Sequence, residues 1–157
     1  MPALLRNILL LAMCLTTLSI LPLPTLPLRA EDMISVSDPH VQARVEGMRD
    51  ASKALNRLNQ MIAGRHRFDP RSARQDRKIL IAAMGNIPRR FQRYKYDTAT
   101  RAKPRIWSNW NDFRARARAA RASARSLNAN SLNRLRQTAP AVVRTCLDCH
   151  QRYRRPP

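Results

Sequence analysis

In SLNRLRQTAPAVVRTCLDCHQRYR, residues 131–154, the apolar residues Leu132, Leu135, Ala139, Val142, Cys146, Cys149 and Tyr153 recur mostly at steps of three and four. That is the period that stacks side chains on one face of an α-helix. Asn130 or Ser131 supplies the N-cap, a short polar side chain just before the first apolar residue. Both cysteines fall on the seam, so the chemistry they carry faces a core. Pro140 lacks an N–H and is expected to kink this helix or shift its start.

The same period extends back along the chain. Asp38-Pro39, an N-cap followed by proline at the first helical position, opens a helix with the seam Val41, Arg44, Met48, Ala51, Leu55, Leu58 and Ile62 that stops at Gly64. Asp69-Pro70 opens a second, with Ala73, Leu80, Ala83, Met84 and Ile87 for the core, and Pro88 is expected to end it. Residues 89–103, polar and rich in Arg and Tyr, form a long crossover. Pro104 starts a third helix with the seam Ile106, Trp110, Phe113, Ala117, Ala120, Ala124 and Leu127, flanked by the basic stripe Arg114, Arg118, Arg121 and Arg125. With only 3 Gly and no strand-like alternation, the chain reads as all-α: a four-helix up-down-up-down bundle closed by the C-terminal helix.

Residues 1–30 have the layout of a cleaved signal peptide. Arg6 forms a basic start, Ile8 to Leu21 an apolar run, and Leu28-Arg29-Ala30 a cleavage site, so the bundle domain is 31–157. The apolar run is shorter than the roughly 18 residues a membrane span needs, and prolines 22, 24 and 27 follow it. Cys14, inside that run, is expected to leave with the leader. The expected compartment is the periplasm, with no stable membrane insertion of the mature chain. Taking Arg6 and Arg29 from the formal +20 leaves +18 on 31–157. A field of that sign attracts acidic proteins and speeds their association. Nucleic acid is excluded as a partner by the compartment.

Cys146-Leu147-Asp148-Cys149-His150 matches C-x-x-C-H, the pattern of covalent c-type haem attachment. On a helix, positions i, i+3 and i+4 share a face, so two thiols reach the two vinyl groups while His150 reaches the iron from one side. One haem c per chain uses both cysteines of 31–157. Three other readings compete. A redox dithiol belongs at a helix N-terminus after a strand. A zinc site needs two more ligands, for which only His40 and His66 remain among the histidines. A disulfide between i and i+3 closes too small a loop to stabilise much.

These residues resemble the class II cytochromes c, which comprise the cytochromes c prime and the low-spin c-556 type. Cys146-x-x-Cys149-His150-x-x-Tyr153-Arg154 is similar to the family's C-terminal ending, in which Tyr153 is expected to pack on the haem. Pro104-Arg105-Ile106-Trp107 with Phe113 resembles the third-helix opening, and Phe68-Asp69 and Pro88-x-x-Phe91 the bounds of the second. Arg44-x-x-x-Met48 resembles the first-helix pattern in which Arg lies near a haem propionate and the residue four later occupies the distal side of the iron. The likeness covers Val41 to Arg154. It departs from the family at Pro140 and in the high net charge.

The resemblance makes Met48 the residue that decides function. A coordinating Met gives a six-coordinate His/Met haem suited to electron transfer. A Met that stays off the iron leaves a five-coordinate haem that binds nitric oxide or carbon monoxide. The position favours ligation, so the leading expectation is a periplasmic monohaem electron carrier, with the gas-binding protein as the alternative. Methionine is also a flexible core filler. Arg44, facing the bundle core, needs a partner, and a propionate supplies the anion in geometry suited to guanidinium. No paired carboxylates or nucleophile and base mark an enzyme. Charge repulsion favours a monomer and leaves a homodimer open.

Overall fold

The computed structural model describes residues 36–156 apart from residue 99, so the leader lies outside the described residues. Four long helices and one short turn of helix follow in order: α1 (Pro39–Ile62), α2 (Pro70–Phe91), α3 (Arg105–Ser108), α4 (Trp110–Ser126) and α5 (Leu132–Tyr153). The protein is an all-α four-helix bundle, with α3 as a lead-in to α4. Around the ring α1 packs along α2, α2 along α4 and α4 along α5, whereas α5 meets α1 at only a few residues.

The starts of the helices are those the cap residues dictate. Asp38 accepts from the N–H groups of His40 and Val41, Asp69 from those of Arg71 and Ser72, and Ser131 from that of Arg134. Gly64, just past the end of α1, takes φ +73°, a left-handed conformation that glycine adopts without strain. Leu58, Leu80, Ile106, Leu127 and Leu135 are the largest fully buried side chains, drawn from every layer of the bundle.

Two boundaries differ from the sequence expectation. Pro88 does not end α2, which runs on to Phe91. Proline costs one backbone bond and a clash with the preceding turn, yet the extra turn buries Phe91, whose ring lies 5.2 Å from that of Phe113. The carbonyls left open at the helix end are also filled: Arg44 Nε donates to the Arg90 carbonyl and Trp107 Nε1 to that of Phe91. The third helix, expected as one piece from Pro104, is broken at Asn109, whose φ of −118° and ψ of 45° are not helical. Pro140 leaves the start of α5 where Ser131 caps it.

The crossover is tied down at its centre and at its far end. Asp97, buried at its centre, accepts from the N–H and hydroxyl of Ser37 and the N–H of Asp38. Beyond it, Ala102 pairs antiparallel with Arg154, the Lys103 N–H donates to the Tyr153 carbonyl and the Arg155 N–H to that of Arg101. The last turn of α5 is thus held by the segment that precedes α3.

Leu135→Ala should lower unfolding free energy by about 2–5 kcal/mol, since the site is closed on every side and cannot collapse freely; denaturant titration checks this. The Ser72 hydroxyl and N–H and the Arg71 N–H hold the Asp69 carboxyl below its ordinary value. A depressed folded value means the cap's pH-dependent contribution is complete above the unfolded value of about 3.9 and is lost as pH falls through the folded one. Asp69→Asn keeps an acceptor but removes the titration. Its stability should therefore fall less steeply with acid than that of the parent, read from melting points on either side of that pH.

Candidate haem site

Cys146, Cys149 and His150 occupy the last two turns of α5, all half-buried, and the two thiols pack against the main core cluster. Both cysteines are free. Burial pushes both thiols up, Cys149 to about 11, against the opposing pull of the Arg116 charge. They are protonated at neutral pH, the reverse of the depressed thiol on which redox dithiols depend. Among the described residues no cluster of three or more His, Cys, Asp or Glu can hold a metal ion, and His40 and His66 are exposed, so the zinc reading gains no ligands.

His150 is pushed down by burial and then by the Arg154 and Arg101 charges. Its imidazole is therefore neutral at pH 7, with a nitrogen lone pair free for iron. A buried thiol pair one helical turn apart and a neutral imidazole beside it fit the donor set of a covalently held haem. The ring of helices is least closed between α5 and α1, the two helices that carry this triad and Met48. A planar macrocycle needs such an opening.

Met48 lies half-buried on α1, packed against the same core cluster as the two cysteines. Arg44, one turn earlier, is 2% exposed. Its Nε donates to the Arg90 carbonyl, Nη1 to that of Lys95 and Nη2 to that of Arg93. The guanidinium also lies over the rings of Phe91 and Trp107, 5.1 and 5.2 Å from their centroids. Three carbonyls and two aromatic faces stabilise the Arg44 charge within the protein itself. Two of its five N–H donors remain for an anion.

Tyr153, expected against the haem, is buried edge-on against Phe113 with centroids 5.2 Å apart, and its hydroxyl donates to Asp112 Oδ2. It anchors the last turn of α5 to the first turn of α4. Asp112 also pairs with Arg116, 2.8 Å away. Sequence reading missed Asp112, Arg116 and Arg101, because neither their link to Tyr153 nor their closeness to the motif follows from helical spacing. It also missed Gly47, where the Arg90 guanidinium occupies the place a Cβ would take. The signal was available: a buried glycine inside a helix costs roughly 1 kcal/mol against alanine and asks for a reason. The stripe of Arg114, Arg118, Arg121 and Arg125 is exposed, but Arg121 leans over Gly85 of α2 and the Arg125 carbonyl accepts from Arg77.

Replacing both Cys146 and Cys149 by Ala should abolish covalent attachment, so that acid-acetone extraction removes all haem, while each single change leaves at most one thioether. Haem that resists extraction from the double variant overturns the assignment.

The family model described as Cytochrome C' matches residues 39–154. No curated protein matches the chain. Among solved structures, the chain is similar to cytochrome c' from Rubrivivax gelatinosus, at 18% identity and a TM-score of 0.65, covering 74% of this chain and 94% of that one. It is similar to cytochrome c prime from Alcaligenes xylosoxidans, a ferrous variant with bound NO, at 20% identity, TM-score 0.64 and the same two coverages. Cytochrome c' from Rhodobacter Spheriodes aligns at 22% identity and a TM-score of 0.66, over 73% of this chain and 94% of that one. With the match spanning α1 to the end of α5, and the C-x-x-C-H turn inside it, the chain belongs to the cytochrome c' family.

Proposed function

We propose that this chain is a periplasmic, non-enzymatic protein whose single haem c, held by Cys146, Cys149 and His150, binds a diatomic gas such as nitric oxide at an open distal position. The observation that carries the reading is the protonated thiol pair beside a neutral imidazole on the helix that faces the loosest seam of the bundle. Family membership and the NO-bound relatives from Alcaligenes xylosoxidans turn the balance from the six-coordinate electron carrier towards the gas-binding form. Such a haem supplies an iron that takes up a small ligand. In this reading His150 would hold the iron, Met48 would stand on the side opposite it, and Arg44, one turn from Met48 and held by three backbone carbonyls, would lie close by. An acidic redox protein, drawn by the +18 of residues 31–157, is the class of partner that sets the oxidation state.

Met48 favours the second reading, since it is the one thioether at the expected distal position. The reduced holoprotein separates the two. An open site gives a broad high-spin absorption spectrum that carbon monoxide sharpens, and Met48→Ala leaves the ligand-free spectrum unchanged. Sharp low-spin bands in the parent, lost in Met48→Ala together with a lower reduction potential, establish His/Met coordination and electron transfer instead.

A further inference from the structure

At the end of the bundle opposite the haem motif, a half-open cleft of about 250 Å³ lies between α2 and the link from α4 to α5. Its cationic lining is Arg74 and Arg77, one turn apart on α2, and Arg125 near the end of α4. Ser126, Asn128 and Asn130 complete the polar wall, and no carboxylate lines it. Three guanidiniums sharing one cleft repel each other, and the hydrogen bonding there does not balance them. Among the described residues the one hydrogen bond these three side chains make is from Arg77 Nη2 to the Arg125 carbonyl. Arg77 Nε is closed off from solvent and has no partner. A buried N–H left unpaired is costly, more so on a charged group, so a small swing of the Arg77 guanidinium that brings this N–H to an acceptor in the cleft is favoured.

None of the polar side chains around this N–H, Ser126, Asn128 and Asn130, accepts from it. Asn128 spends its side-chain oxygen on the Asn130 N–H, and its own N–H goes to Thr138. What remains in the wall is a surplus of donors. The space is several times the ~30 Å³ a water takes up in the liquid, enough for a polyatomic anion with part of its hydration shell. Forked guanidinium donors match oxyanions with two or more oxygens.

We propose that the Arg74, Arg77 and Arg125 cleft is a binding site for a free phosphate-class oxyanion, with Arg77 as its central ligand. The site is independent of the haem. His150 lies eighteen residues along α5 from Leu132, about 27 Å at the helical rise. The anion therefore acts by clasping α2 to the α4–α5 link, and it does not touch the iron.

The test is a calorimetric titration of haem-loaded protein with inorganic phosphate, in chloride at constant ionic strength, with acetate as the single-carboxylate probe. The expected result is saturable phosphate binding at one site, far weaker acetate binding and an unchanged haem spectrum. Arg77→Gln and, separately, Arg74→Gln at the cleft's rim should each weaken phosphate by about tenfold or more, the factor lost with a charge-assisted hydrogen bond. Arg114→Gln, an exposed charge outside the cleft, should leave it unchanged. Two variants guard against a misfolded Arg77→Gln, and the haem spectrum reports folding in each. Absence of saturation, an equal loss in Arg114→Gln, or acetate binding as tight as phosphate overturns the proposal, the last in favour of a protein carboxylate.

Discussion

Every helix ends with carbonyls that no later N–H can reach, and in a chain with 30 cationic side chains against 10 acids those carbonyls are the available counter-groups. All four bundle helices use them in this way. The Ile62 carbonyl at the end of α1 accepts from Arg136 of α5, the Arg90 carbonyl near the end of α2 from Arg44 of α1, the Arg125 carbonyl near the end of α4 from Arg77 of α2, and the Gln151 carbonyl near the end of α5 from Lys103. Each bond links two elements that are distant in sequence, so charge that repels through space also staples the bundle together. Ion pairs play a smaller part. Among the described residues there are two, Arg57 with Asp76 across α1 and α2, and Arg116 with Asp112 within α4.

The haem end depends on this arrangement more than the rest. Arg44 binds three carbonyls of one short segment and lies between Phe91 and Trp107, fixing where α2 stops and the crossover begins. The crossover then pairs with the tail through Ala102 and Arg154, which holds the last turn of α5. On its other side that turn is held by Tyr153 against Phe113, whose ring also contacts Phe91 and Trp110. A chain of contacts thus runs from the helix bearing Met48 to the helix bearing His150 without passing through the α1–α5 seam. That seam is free to stay loosely packed, as a cofactor site between two helices requires.

Helical period made the four seams legible, because burial of one face is a repeating signal, and Asp38-Pro39, Asp69-Pro70 and Ser131 made the starts legible through cap chemistry. The C-x-x-C-H turn was legible because its spacing alone puts three groups on one face. Pro88 misled, since its local penalty is outweighed by burial of Phe91 and by two side chains, Arg44 and Trp107, that lie 46 and 16 residues from the Arg90 and Phe91 carbonyls they bind. The partners of Arg44 were unreadable for the same reason: carbonyls have no identity in a sequence, so a buried cation appears to need an acid or a cofactor. Whether a thioether at Met48 reaches iron depends on how α1 leans, which no periodicity encodes.

Placing the cations also bears on how a protein of this charge could keep the proposed gas site apolar. Arg44 is buried but saturated along one edge by backbone, so its field near the distal side is offset by three carbonyl dipoles. Burial, and then the charges of Arg154 and Arg101, lower the proton affinity of His150, which leaves the imidazole neutral and available as a donor at pH 7. The remaining stripe on α4 faces outward or into the α2–α4 groove. Apart from the buried Arg44, Asp76 and Asp97, charge lies towards the surface, while the core-facing side of α5 presents Leu135, Ala139, Val142 and the two cysteines. An apolar, weakly closed seam with one neutral nitrogen donor suits an uncharged diatomic ligand. It is poorly suited to anions, whose place in this fold is the arginine-lined cleft some 27 Å away at the other end of the bundle.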